Sequence, residues 1–384
     1  MKALVLDATW DPRPDYTPSP AETRTRKALI GSSVWRNPNA EFRRVPDPTP
    51  GRDDVIVRVR RVGFCGSDLH FFETDEGGYI RYPGLTRFPT ILGHELSGDV
   101  VALGEDVKHL RIGDPVTMED MVRCGTCYPC RTGQPNQCED LDEIGFSLDG
   151  GFAEHVRVPA RNAWSIAPLA RRFGDRMLYD CGALVEPFTV VYNALVHCAG
   201  GVRPGAWAVV HGAGPIGLAS IALLRAAGAA HIIAFEVSED RRALALALGA
   251  DEAHDPTAAS PADIVLAATE GLGADIQVEA AGAFALTLPA MESCAGIGGT
   301  IVVIGRDAAR VPIYPEPLQV KRATIVLAKG NAGLGTYPNV LRLMASGRID
   351  PLPMITQRFP FDRILAAIEA SRARGEGKIL VEVG

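Results

Sequence analysis

A hydrophobic run, Ala206-Trp207-Ala208-Val209-Val210, leads into Gly212-Ala213-Gly214-Pro215-Ile216-Gly217 and then into an apolar stretch that reads as a helix to Ala227. Few folds accept that order. The G-x-G-x-x-G spacing carries weight only with a strand before it and a helix after it, and both are present. Gly212 permits the tight turn, Gly214 lets backbone approach a pyrophosphate, and Gly217 lets helix and strand pack closely. Pro215 and Ile216 open a helix whose free N–H groups suit phosphates. Glu236 follows the next predicted strand, Ile232-Ile233-Ala234-Phe235. A carboxylate there can accept from both adenosine ribose hydroxyls and would repel a 2′-phosphate, so NAD is expected over NADP. Arg241 and Arg242 are near enough to pair with a phosphate, or form a solvated helical turn capped by Ser238. The second reading is preferred, with Arg241 kept among the cofactor-site residues. A helix over 241–248 and strands over 264–266, 276–278 and 300–304 continue the alternation. That pattern implies an α/β domain with a doubly wound parallel sheet.

Upstream, Cys124, Cys127, Cys130 and Cys138 form a C-x2-C-x2-C-x7-C run. The chain has eight cysteines, which in a secreted protein could be disulfides. Clustering of four on one short loop, and an N-terminus that reads as a strand rather than an export signal, favour a metal site and a reducing cytoplasm. Four thiolates can close a tetrahedron around Zn2+ with no open position, so such a zinc holds the loop and does no chemistry. Clustered free thiols would be an oxidation hazard. An iron–sulfur cluster ranks lower, because nothing else nearby suggests redox chemistry.

At 384 residues the chain has room for two domains. A net charge of −7 argues against a nucleic-acid or anionic-membrane partner. No run of eighteen apolar residues suggests a membrane span. Residues 1–187 hold short β runs such as Val55–Val59 and Ser97–Val101, punctuated by turns, and read as an irregular antiparallel domain. Residues 11–50 are polar and proline-dense, and read as a surface excursion anchored by Val34, Trp35 and Phe42. The dinucleotide domain is placed at 188–326. Residues 327–384, with helices over 338–346 and 361–371 and a strand over 378–383, are expected to return to the first domain.

Gly93-His94-Glu95-x2-Gly98-x5-Gly104-x2-Val107 resembles the signature of the zinc-dependent medium-chain alcohol dehydrogenases. Gly63-Phe64-Cys65-Gly66-Ser67-Asp68-Leu69-His70, the cysteine lobe and the glycine turn stand in that family's order over essentially the whole chain. The resemblance implies a GroES-like catalytic domain, a Rossmann cofactor domain, and a catalytic zinc in the cleft between them besides the structural one. It implies Cys65 and His94 as ligands. Ethanol-oxidising members supply a second cysteine. This chain has Leu184-Val185-Glu186-Pro187, as in the sorbitol, threonine and glucose dehydrogenase branch, which makes Glu186 an expected ligand, direct or through water. Glu95 matches a residue that is a ligand in some members and lies behind the ligands in others, so both carboxylates stay candidates. Zinc there would ease loss of the alcohol proton while hydride leaves for the nicotinamide. Ser67 matches the hydroxyl that touches the alcohol oxygen, and His70 the imidazole that passes the proton to solvent. Asp68 reads as a turn-stabilising residue. Family habit also implies a homo-oligomer, dimer or tetramer.

Trp10–Pro14, Gly31–Arg36 and Thr74–Gly84 resemble the cyclitol dehydrogenases of scyllo-inosose 3-dehydrogenase type, in the polyol branch. The implied substrate is a small polyol, cyclitol or aminocyclitol; threonine and sorbitol dehydrogenases are the enzymatic alternatives. The loop from Phe71 to Phe88 carries Asp75, Glu76, Tyr79, Arg81 and Tyr82. A ring bearing many hydroxyls needs such donors and acceptors, although the same side chains would also solvate a surface loop. Glu119 and Asp120 have equal standing. His109, His155, His197, His211, His231 and His254 are read as surface or satisfied interior, His211 lying closest to the cofactor turn. Cys181, Cys198 and Cys294 are read as small buried residues.

Overall fold

The computed structural model describes residues 1–306, 310–373 and 375–384. The chain divides into two compact units. One comprises Met1–Glu186, Gln357–Ala373 and Ile379–Gly384; the other comprises Pro187–Thr356 and a short piece ending at Lys378.

The first unit is built on the strand Asp54–Phe64, whose Val55, Val57 and Val59 are fully buried. β-branched side chains of this kind suit a pleated, buried surface. It pairs antiparallel along its length with Glu95–Leu103. Its other edge takes His155–Pro159 and then the closing strand, Ile379 opposite Phe64. A register shift between Val59 and Arg61 sets Gly63 opposite Glu95. A smaller sheet pairs Lys2–Trp10 with Trp35–Arg44 and with Thr90–Ile91. Thus 35–44 is a ten-residue strand rather than part of a surface excursion, and Trp35 is buried against Trp10 and Phe88. The C-terminal segment is tied in by charge. Asp180, buried in the helix Ala170–Ala183, accepts from Arg61 Nε at 2.8 Å and Arg358 Nη2 at 2.8 Å. Its removal would take the carboxylate from Arg358 and leave Arg61 with Glu382 at 3.3 Å as its remaining carboxylate partner.

The second unit holds six parallel strands: Trp207–His211, His231–Phe235, Glu252–His254, Ala274–Glu279, Ala295–Val303 and Thr324–Leu327. Numbered along the chain, their spatial order is 3-2-1-4-5-6, the doubly wound arrangement that places a ligand crevice beside the first strand. Two expectations fail. Residues 264–266 lie in a helix, Pro261–Ala268, because Ser260 caps it through the Asp263 amide and Pro261 fits its first turn. Residues 327–356 stay with the second unit instead of returning. The helix Thr336–Ala345 buries Tyr337, Val340, Leu341 and Met344, and Asn339 donates to the Tyr192 hydroxyl at 3.0 Å. The return begins at Gln357.

Among the described residues, no single helix is long and apolar enough to cross a membrane.

Candidate active site

Cys65 follows the strand Asp54–Phe64 and stands at the N-cap of the helix Gly66–Phe72. His94 and Glu95 enter the neighbouring strand. The register described above brings their donor atoms to Cys65, and one ligand atom from each of the three lies within 4.8 Å of the others. His94 and Glu95 are buried. The Glu95 carboxylate lies over Gly63, where a Cβ would stand 2.1 Å from Oε2, so only glycine admits it. A soft sulfur donor, half-buried, with a buried imidazole and a buried carboxylate are a donor set that fits Zn2+ and leaves a fourth position for an oxygen ligand. Glu186 is also buried, in the first turn of the helix Val185–Tyr192, but is not in that three-residue group.

The surroundings hold His94 in place. Asp68 is fully buried; its Oδ2 accepts from the Cys65 amide at 3.0 Å and its Oδ1 faces His94 Nδ1 at 3.6 Å. Burial opposes a charge on His94, but Asp68 and Cys65 beside it push its pKa well above the ordinary imidazole value. Phe146 lies against the His94 ring at 4.6 Å. Ser67 Oγ is 3.5 Å from His94 Nε2. Asp68 thus stabilises the turn through the Cys65 amide, as expected, and also faces His94. His70, one turn further along the helix, pairs through Nδ1 with Glu73, which the sequence reading passed over.

The cysteine lobe closes on itself. Donor atoms of Cys124, Cys127, Cys130 and Cys138 lie within 4.8 Å of one another, and all four cysteines are free of disulfides. The Cys127–Cys138 sulfur separation of 3.8 Å is the edge of a tetrahedron with Zn–S bonds of about 2.3 Å. The Thr126 amide and hydroxyl and the Cys127 amide hold Cys124 down to about 6, while burial pushes Cys130 up to about 12. Short strands, Met121–Val122 and Asp142–Glu143, clamp the loop's ends. Cys127→Ala is expected to cost about 3 kcal/mol. At about 2–4 °C per kcal/mol that lowers the melting temperature by roughly 6–12 °C, with turnover by the remaining folded protein retained. An unchanged melting curve in zinc-containing buffer would remove the structural role.

In the second unit, Gly212 adopts φ +92°, and a Cβ on Gly217 would lie 1.8 Å from Gly212 O. Pro215 and Ile216 begin the helix Pro215–Ala227. Glu236 is drawn into the turn: Oε2 accepts from the Ala213 amide at 2.8 Å and Oε1 from the Ser238 amide at 3.0 Å. The Arg241 guanidinium reaches toward Gly214, with Nη1 3.9 Å from where a Cβ would be, and Nε donates to Glu376 O at 2.8 Å. Arg242 is occupied with the carbonyls of Glu236 and Val237. His211 is buried against Phe235, which drives its pKa down to about 4, and it turns toward Gln277, not outward to a phosphate.

The loop 71–88 largely supports itself. Asp75 pairs with Arg13 and accepts from the amides of Gly77 and Tyr79. Tyr79 lies beneath Arg13 at 4.0 Å, and Tyr82 stacks on Phe71 at 4.5 Å. Glu76 and Arg81 are exposed. Glu119 is buried and paired with Arg123.

Comparison with known proteins agrees with this construction. Residues 51–168 match the alcohol dehydrogenase GroES-like domain, and residues 215–346 match the zinc-binding dehydrogenase domain. The chain belongs to the zinc-binding alcohol dehydrogenases. This dehydrogenase is 44% identical over 375 residues to the scyllo-inosose 3-dehydrogenase of Thermotoga maritima, covering 95% of each chain. It is 34% identical over 357 residues to the L-threonine 3-dehydrogenase of Saccharopolyspora erythraea, covering 93% of this chain and 98% of the other. A solved structure from Thermotoga maritima, assigned as an alcohol dehydrogenase, superposes with a TM-score of 0.95 at 42% identity, covering 100% of both chains. The protein is thus an NAD(P)-dependent oxidoreductase with a GroES-like domain and a Rossmann domain, and zinc is its metal.

Proposed function

We propose that this dehydrogenase oxidises a secondary alcohol on a cyclitol or aminocyclitol to the ketone, with NAD as acceptor. The observation that carries the chemistry is the convergence of half-buried Cys65 with buried His94 and Glu95. The ring-polyol class rests on the inosose dehydrogenase relative, which is more similar than the threonine dehydrogenase. Cys65, His94 and Glu95 would hold the catalytic zinc, with Glu186 a buried carboxylate in reserve; Cys124, Cys127, Cys130 and Cys138 would hold the structural one. When bound, the catalytic ion supplies Lewis acidity that eases loss of the hydroxyl proton. Ser67 orients the substrate hydroxyl, and His70 accepts the proton. The amides of the Gly212–Gly217 turn would hold the pyrophosphate of NAD, which would supply the hydride acceptor.

An assay of NADH formation with myo-inositol, scyllo-inosose, a deoxyinosamine, sorbitol and threonine tests the substrate class. Turnover with threonine or sorbitol alone would replace the proposal with that alternative. NAD is preferred over NADP because Glu236, fixed by two amides, keeps lone pairs for the ribose hydroxyls and would repel a 2′-phosphate. Glu236→Ala should narrow the NAD-over-NADP ratio of kcat/KM by at least about tenfold, the equivalent of one charge-assisted hydrogen bond of about 1.5 kcal/mol. An unchanged ratio would clear Glu236 of the role.

The run of reduced cysteines supports a cytoplasmic location. A homo-oligomer is favoured by the strand Thr324–Leu327, which among the described residues pairs on one side only, and by the exposed Leu327 on it. Light scattering reads the oligomeric state directly.

A further inference from the structure

Glu73 stands where the helix Gly66–Phe72 ends. Its amide donates to Leu69 O at 3.1 Å, and its carbonyl accepts from the Arg81 amide at 2.9 Å. Its Oε2 lies 3.0 Å from His70 Nδ1, one turn back on the same helical face. The segment that follows turns back on itself, Asp75 N donating to Tyr79 O at 2.9 Å. Arg81 and Tyr82 then donate their amides to His70 O at 3.0 and 3.1 Å. The hairpin is braced by Arg13 on Asp75 and Tyr79, and by Tyr82 against Phe71 and Phe146. The backbones of His70 and Glu73 are therefore fastened to one another through residues 74–82. The polar loop read as a source of substrate contacts has this framework role.

We infer that Glu73 is the positioning residue for His70, an inference that rests on the proposed role of His70 as proton acceptor. An ionised carboxylate only accepts hydrogen bonds, so the pair requires the proton on Nδ1 and leaves the Nε2 lone pair free. In the oxidation, the proton released from the alcohol O–H ends on Nε2. The electron pair of the adjacent C–H bond leaves with its hydrogen as hydride to C4 of NAD, and the carbon–oxygen double bond forms. The imidazolium keeps its hydrogen bond to Glu73 throughout, so the ring does not turn between accepting the proton and passing it to solvent.

Two measurements separate this inference from the reading beneath it. Nitrogen-15 correlation spectra of histidine-labelled holoenzyme, with the His70 signal identified by its loss in His70→Ala, report the tautomer without any substrate. The Nδ1–H form is expected in the wild type, reverting to mainly Nε2–H in Glu73→Leu; an Nε2–H wild type overturns the inference. In steady-state oxidation of myo-inositol or scyllo-inosose with NAD, Glu73→Leu should lower kcat about 30-fold with KM for NAD within about twofold, a share of the roughly 10²–10⁴-fold that a positioned base supplies. Glu73→Gln, which keeps an acceptor oxygen, should stay within about threefold of wild type. In a His70→Ala background, Glu73→Leu should cost nothing more, because the two act as one unit. A further loss there, or no rescue by glutamine, overturns the inference. A His70→Ala variant with undiminished kcat, or an enzyme that turns over neither cyclitol, instead sinks the proposed function and leaves the tautomer spectrum to judge Glu73 alone.

Discussion

Cys65→Ser is expected to lower turnover by roughly 10³-fold, the order of loss that follows when a main source of charge stabilisation at the reacting oxygen goes, while the Kd for NADH should move by less than about twofold. The reasoning runs through ligand chemistry. Cys65 contributes the soft anionic donor of a group whose other members are His94 and Glu95. A serine hydroxyl at that position is a neutral, weaker donor, so the site loses its ion or holds it loosely. Zinc content of the purified variant is expected to fall from about two to about one per chain, the remainder sitting in the Cys124–Cys138 lobe. Cofactor affinity survives because the turn Gly212–Gly217 and Glu236 belong to the other unit and share no residue with the zinc group. Joint loss of NADH binding would contradict that division of labour. Full turnover from a variant carrying one zinc would contradict the catalytic role of the group itself.

The parts of this molecule that a reader of the sequence can find are those decided by local chain geometry. Gly212 and Gly217 announce themselves because a turn with φ +92° and a helix packed onto its own turn exclude side chains. The four cysteines announce themselves because one short loop suffices to converge them. Cys65 and Glu95 are different. They meet because a register shift between Val59 and Arg61 puts Gly63 opposite Glu95, a long-range fact that residue spacing does not contain. Only the likeness to a family made that group visible in advance. Residues 264–266 misled because a three-residue apolar run fits a strand or a helix equally well, and the deciding cues, Ser260 and Pro261, lie outside the run. Residues 327–356 misled because an amphipathic helix states that it will bury a face but not against which domain. Asp75 and Tyr79 show the same limit at a smaller scale. Their chemistry suits a polyol, yet Arg13, brought from far along the chain, takes them first.

Two glycines of the cofactor turn give the sharpest contrast this fold offers. A Cβ on Gly217 would lie 1.8 Å from Gly212 O, and Gly212 has no room to yield, since its own Cβ position is 2.7 Å from the Ala281 backbone. Gly217→Ala must therefore lift the helix Pro215–Ala227 from the strand Trp207–His211. It loses stability and phosphate-directed amides together, with Kd for NAD rising at least about 100-fold, some 2.7 kcal/mol. A Cβ on Gly214 meets only Arg241 Nη1, at 3.9 Å. Gly214 has φ −68°, which alanine adopts freely, so Gly214→Ala should fold with an unchanged melting temperature. Its methyl group nevertheless occupies the face where the pyrophosphate must approach, so affinity falls to a similar degree. Both variants keep about two zinc ions per chain. Calorimetric titration of NAD beside a thermal melt reads all of this at once, and a Gly214→Ala protein that binds NAD as tightly as the wild type would move the cofactor away from this turn.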